Sequence, residues 1–161
     1  MSLRRKGFTI VELLIVMLLI GLVSAMAINL SFRTRHRWEL RGLAREITSI
    51  FYRAKQLASR ENSQTMVDFS NNKYTLHVRR NNAWVQVFGS EDFPKNITLT
   101  KTPNDYTGFA IAPSGFLIKP DTMAIYGMQT LVLRAPHGSQ FDSITLNIYP
   151  YGGVRVKNLF L

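Results

Sequence analysis

The sequence has no cysteine in 161 residues. That one absence excludes disulfides, thiolate nucleophiles and cysteine-based zinc sites. Proline is missing from Met1 to Phe93, and Gly21 and Gly42 are the only glycines in residues 8–60. A stretch with so few breakers is free to run as long helix. Acids are scarce: 10 Asp and Glu stand against 20 Lys and Arg, a net charge of +10. Arg4, Arg5 and Lys6 supply three of these charges, so a chain cut after Gly7 would keep 10 − 3 = +7. Such an excess favours anionic lipid, nucleic acid or acidic protein surfaces as partners. The plainer alternative is a solvated basic face.

Signs of catalysis are also missing. His36, His77 and His137 have no metal-ligand spacing, so no metal site is expected. Ser114, His137 and Asp142 offer the side chains of a triad, but no nucleophile motif surrounds any serine. No glycine loop for phosphate is present, and neither an enzyme nor a cofactor is expected. Asn96-Ile97-Thr98 matches a glycosylation acceptor, a pattern common by chance, and receives no role. There is no internal repeat and no low-complexity segment. With 46% hydrophobic residues the chain is able to bury a core.

The N-terminal end carries the most specific signal. Arg4-Arg5-Lys6-Gly7 is followed by an apolar run from Phe8 to Leu30, interrupted only by Thr9, Glu12, Gly21, Ser24 and Asn29. As helix this run would cover about 34 Å, enough to cross a bilayer. A cleaved secretory signal is the competing reading, with Ser24-Ala25-Met26-Ala27 as its cleavage site. The run is longer than the usual apolar core of about 7–15 residues, and a carboxylate inside a disposable signal is out of place. Arg33, Arg35, Arg37 and Arg41 follow the run, so cations flank it on both sides and the positive-inside rule assigns no orientation. These four arginines are expected to meet lipid headgroups or neighbouring subunits. Trp38 suits either an interfacial anchor or packing on the following domain. Glu12 is the anomaly. A charged residue at the centre of a membrane helix costs roughly 2.5–3.5 kcal/mol on insertion scales, so Glu12 needs a partner.

Past Leu30 the pattern becomes amphipathic. Leu40, Leu43, Ala44, Ile47, Ile50, Phe51, Ala54, Leu57 and Ala58 recur at spacings of three and four, one stripe of a helix. Arg41, Arg45, Glu46, Arg53, Lys55 and Arg60 occupy the opposite face. Either glycine is a candidate for a bend or a local melt. Glu61-Asn62-Ser63 ends the helix. Short β segments then follow at close spacing: 65–69, 74–79, 84–88, 97–101, 108–111, 116–118, 130–134, 143–149 and 154–157. Turn residues separate them, with Asn81-Asn82 as a hairpin tip. Many short strands with turn signals argue for antiparallel sheet. The fold class is α+β: a long N-terminal helix, membrane-type and then amphipathic, whose second half packs on an antiparallel β domain.

The segment Lys6-Gly7-Phe8-Thr9-Ile10-Val11-Glu12-Leu13 resembles the type IV prepilin signal. The later segments more loosely resemble the GspH/FimT branch of minor pseudopilins and minor pilins. They are Met66–Phe69, the Trp84 strand, the Phe109…Pro113-x-Gly115 turn, and Ile144–Ile148 leading into Gly152-Gly153-Val154-Arg155-Val156. The resemblance implies a sandwich-like pair of sheets. It implies a prepilin peptidase that cuts after Gly7 and methylates the new terminus, Phe8. It also implies that Glu12 is the assembly charge, meeting the Phe8 amine of a neighbouring subunit. The amine of its own chain, one turn away, is the competing partner. The implied divisions are a leader, 1–7; a transmembrane and assembly helix, 8–30; an amphipathic second half, 31–61; and a periplasmic β domain, 62–161.

The function implied is that of a minor pseudopilin of a type II secretion system, similar to the H-type subunit. Its expected surroundings are the bacterial inner membrane, crossed once, the prepilin peptidase, other pseudopilins of the tip and shaft, and exported protein substrates. The alternative is a minor type IV pilin that primes pilus assembly or takes up DNA. In the DNA reading Arg134, Arg155 and Lys157, with Arg79 and Arg80, would contact phosphates.

Overall fold

The computed structural model describes residues 9–70, 73–89, 92–102, 108–120, 122–137 and 140–159, without the side chains of 26–36, 137, 140, 141, 158 and 159. The chain divides into two compact units, Met1–His36 and Arg37–Leu161. Helix α1, Ile10–Glu61, contributes residues to both. Gly21 and Gly42 are both helical, so neither melts the helix. Its C-terminal end is set by Asn62, at φ 46°, and by the Ser63 N–H donating to the Ala58 carbonyl at 3.1 Å. A left-handed residue closing a six-to-one bond is a common helix stop, and asparagine tolerates that conformation.

Within the second unit α1 buries one stripe. Leu40, Leu43, Ala44, Ile47, Ile50, Phe51, Ala54 and Ala58 are buried, and Leu57 packs partly against them. This is the stripe read from the sequence, because spacings of three and four return to one face every turn. What covers it is a pair of antiparallel sheets. The first has the order β3-β2-β1-β5-β6, with β1 Thr65–Ser70, β2 Lys73–Arg80, β3 Ala83–Gly89, β5 Gly108–Ile111 and β6 Leu117–Ile118. The second has the order β4-β7-β8-β9, with β4 Thr98–Thr102, β7 Gln129–His137, β8 Gln140–Ile148 and β9 Val154–Leu159. Each strand pair is antiparallel among the described residues. The β2–β3 hairpin turns on Asn81 and Asn82, at φ 50° and 65°. Two consecutive positive φ angles match the twist of the flanking strands.

Alternation places the core. Tyr74, Leu76 and Val78 are buried along β2, as are Leu131, Leu133 and Ala135 along β7 and Ile144, Leu146 and Ile148 along β8. Phe51 of α1 meets Phe69 of β1 and Phe109 of β5, with ring centroids 6.2 and 5.9 Å away. Thr65, fully buried, donates its hydroxyl to the Ala54 carbonyl at 3.0 Å and ties β1 to α1. A glycine junction joins the two sheets. The Leu117 N–H at β6 donates to the Pro150 carbonyl in the β8–β9 turn at 2.6 Å.

Some expectations change. Phe116 lies outside β6 and is 42% exposed. Ile97 and Tyr149 fall just outside β4 and β8. Trp38 is 62% exposed and does not join the core, which removes its packing alternative. Arg37 is not left for lipid or a neighbour. Its Nε lies 3.2 Å from the buried Asp142 carboxylate, a sink for its charge inside the domain. Arg33, Arg35 and His36 have side chains outside the described residues.

Candidate processing, assembly and cationic sites

Thr9 begins helix α1. Its carbonyl accepts the Leu13 N–H at 3.2 Å, and its hydroxyl accepts the Glu12 N–H, also at 3.2 Å. Thr9 is therefore the N-cap and Glu12 the third helical residue, the spacing of a capping box. Thr9, expected as an interruption of the apolar run and as part of the prepilin-like segment, has this cap role as well. The Thr-x-x-Glu spacing was the available signal. Glu12 sits in the first turn, where the unsatisfied N–H groups favour a negative charge.

The surroundings of Glu12 on its own helix are uniformly apolar. Ile10, Val11, Leu13, Leu14, Ile15, Val16, Met17 and their successors to Val23 are all exposed. A helix hydrophobic on every side has no solvated face, and it is stable when something apolar surrounds it. Among the described residues, no helix is long and apolar enough to cross a membrane. Gly7 and Phe8, the expected processing positions, lie outside the described residues.

The cationic residues separate into two groups. Arg134 on β7 and Arg155 and Lys157 on β9 are exposed. They share the outward side of the second sheet. Arg134 lies opposite Ser143, Arg155 opposite Asn147 and Lys157 opposite Thr145, whereas the intervening Ile144 and Leu146 face the core. The neighbouring outward positions Thr98, Thr100 and Thr130 are threonine, and this face carries no carboxylate among its described residues.

Arg79 and Arg80 belong instead to β2 of the first sheet and are committed within the fold. Arg80 grips both carboxylate oxygens of Glu61 at 2.9 Å. Arg79 donates to the Gln64 side-chain oxygen at 2.8 Å and to the Asn82 oxygen at 2.9 Å. Its guanidinium stands 5.8 Å from the centre of the Trp84 ring. The five cations expected to act together are thus not one surface. Asp142 is buried and holds the Arg37 guanidinium at 3.2 Å. No group of three or more metal-ligating side chains occurs among the described residues.

Residues 2–28 match the prokaryotic N-terminal methylation motif. No curated protein matches the chain. Among solved structures it is similar to the type IV minor pilin FimU of Pseudomonas aeruginosa, at 13% identity and TM-score 0.61, covering 76% of this chain and 90% of that one. It is similarly close to the minor pseudopilin EpsH of the type 2 secretion system of Vibrio cholerae. That match has 10% identity and TM-score 0.60, covering 74% of this chain and 97% of that one. At such identities the likeness establishes the fold. The chain thus joins a prokaryotic N-terminal methylation motif at residues 2–28 to the helix-on-two-sheets fold of these two pilin-like structures.

Proposed function

We propose that this chain is a minor pseudopilin of a type II secretion system, a structural subunit of the periplasmic pseudopilus tip that supports export of folded proteins across the outer membrane. The observation that carries this reading is the methylation motif at residues 2–28 on a chain whose fold is shared with EpsH. The absence of cysteine supports the pseudopilin over the pilin, since many minor pilins have a C-terminal disulfide. In this reading the prepilin peptidase cuts after Gly7 and methylates Phe8. Residues 8–30 anchor the subunit in the inner membrane, residues 31–61 carry the helix onward, and residues 62–161 form the periplasmic domain.

Glu12 then acts between subunits. Cleavage leaves an ammonium group on Phe8 at the start of an apolar helix. In an axially staggered bundle, Glu12 of one subunit meets that ammonium on the next. Each charge offsets the desolvation cost of the other, and the pair sets register. The test is deletion of the gene in its own host. Loss of exoprotein release with pilus-dependent motility intact supports the secretion reading; the opposite pattern overturns it.

A second reading, a minor type IV pilin, is favoured by the carboxylate-free outward face carrying Arg134, Arg155 and Lys157, and by the fold shared with FimU. DNA bound there would be held through phosphates. With three cations engaged, affinity would fall with salt at a logarithmic slope of about −2.7. Titration of the detergent-solubilised chain with duplex DNA decides it, and no binding at low salt removes the DNA role.

A further inference from the structure

Among the described residues the two sheets have four edge strands: β3 and β6 on the first, β4 and β9 on the second. Edges expose unpaired backbone groups, and proteins protect them by shortness, charge or cover. Three are protected. β6 has two residues and bridges to Ile125. β4 carries Lys101, and β9 carries Arg155 and Lys157. β3 differs. Its seven residues, Ala83–Gly89, include no charge, and Val85 and Val87 are 40% and 39% exposed. A bulge opposite Leu76 and His77 leaves Val87 unmatched, so that it adjoins Phe88 on the strand.

Beside this edge runs a groove of about 380 Å³ between α1 and the β2–β3 hairpin. Leu57, Leu76, Val87 and Phe88 supply its apolar lining, and Arg53, Arg60 and Arg80 supply its cations. The Arg53 guanidinium stands 4.8 Å above the Phe88 ring. Glu61 is the one carboxylate in the lining, and Arg80 holds it. Arg53 and Arg60 therefore present positive charge to whatever enters. A strand added along β3 would extend the first sheet and aim alternate side chains into this groove. Apolar ones would meet Leu57 and Phe88, and acidic ones would meet Arg53 and Arg60.

We infer that the β3 edge and its arginine-rimmed groove bind an extended acidic segment of a partner protein as an added strand. A second copy of this chain is a poor occupant. Its ten acids are dispersed, Glu91-Asp92 is the only adjacent pair, and its net charge is +10. Strand addition takes affinity from main-chain hydrogen bonds and specificity from alternate side chains. The inference rests on the unit Arg37–Leu161 and applies to a pilin as to a pseudopilin.

The test uses the full chain in detergent and a fluorescent peptide alternating valine and glutamate. Saturable binding is expected, with slowed amide exchange along β3. A valine–lysine peptide should not bind. The valine–glutamate peptide N-methylated at alternate residues should also fail, because it cannot complete a ladder. Arg53→Gln with Arg60→Gln should weaken binding by about tenfold or more, and Arg53→Glu with Arg60→Glu further. Both sites are exposed, and an unchanged near-ultraviolet circular dichroism spectrum confirms the fold of each variant. Unchanged exchange at β3, equal binding of the lysine or N-methylated peptide, or undiminished binding by the glutamine pair would overturn the proposal. So would duplex DNA binding in place of the peptide through the same two arginines.

Discussion

Gly152 rests on the backbone of Gly115: a Cβ built at Gly152 would lie 2.5 Å from the Gly115 carbonyl oxygen. Both glycines have positive φ, 73° and 84°. Lys55 of α1 crosses the pair and donates its ammonium to the Tyr151 carbonyl at 2.9 Å. Helix, first sheet and second sheet thus meet at two turns that only glycine fits closely. Gly152→Ala should destabilise more than Gly115→Ala. Each pays roughly 1–2 kcal/mol for left-handed φ. At Gly152 the obstacle is rigid backbone, whereas at Gly115 it is the movable Lys55 side chain, 2.6 Å away at Cε. Near-ultraviolet circular dichroism melts of the detergent-solubilised chain should show the larger fall for Gly152→Ala, at roughly 2–8 °C per kcal/mol. Equal melting points would refute the junction's backbone contact.

The Arg37–Asp142 pair links the start of the second unit to β8. Asp142 is 2% exposed and Arg37 is 43% exposed. Removing one partner of a fully buried pair costs about 3–5 kcal/mol. Water reaches Arg37, so Arg37→Met should cost less, about 1–3 kcal/mol after allowance for screening. Adding Asp142→Asn should recover much of that loss, because the neutral amide no longer needs the cation. A double-mutant cycle on unfolding midpoints measures the coupling; additive losses would show that the pair carries none.

Lys101 on β4 gives a pH test. Burial lowers its pKa below the ordinary 10.5, and the nearby Asp68 charge opposes part of that shift. Between the lowered value and 10.5 the unfolded chain binds more protons than the folded one. Stability therefore rises with pH across that window, and the cost of the buried ammonium is fully present below it. Lys101→Met removes this dependence. The variant's advantage over the parent should be widest at neutral pH and shrink as pH climbs towards 10.5, as read by melts at matched pH. A constant difference would contradict the assignment.

The helix stripe and the strand positions were legible because apolar spacing carries them directly. Leu40 to Ala58 fall on one face at a period of 3.6, and Ile144, Leu146 and Ile148 alternate at a period of two. Asn81-Asn82 announced its turn by composition. What sequence could not supply was pairing between distant elements. Nothing local joins Arg80 to Glu61 or Arg37 to Asp142, yet these contacts divide the cations into free and committed groups. The division of the strands into two sheets is likewise a matter of long-range register. Thr9 differs from these, since its capping spacing to Glu12 is local.

That cap makes Glu12 a residue with two separable jobs. Its backbone N–H completes the cap with the Thr9 hydroxyl at 3.2 Å, and in the proposed function its carboxylate is the charge that meets a neighbouring subunit. Glu12→Gln keeps a capping-box residue and the shape of the side chain while removing the charge. Glu12→Ala removes both the charge and the side chain. If the charge serves assembly, both variants should remain membrane-associated and both should fail to enter the fibre to a similar degree. If capping were the whole role, Glu12→Gln and Glu12→Ala would both assemble, since each keeps the backbone N–H that reaches Thr9, and the roughly 0.5–2 kcal/mol of the cap would be lost only on replacing Thr9. Fibre incorporation against membrane content, measured for the two variants in one host, separates these outcomes. Thr9→Ala completes the comparison: it weakens the cap, leaves the carboxylate in place, and should assemble.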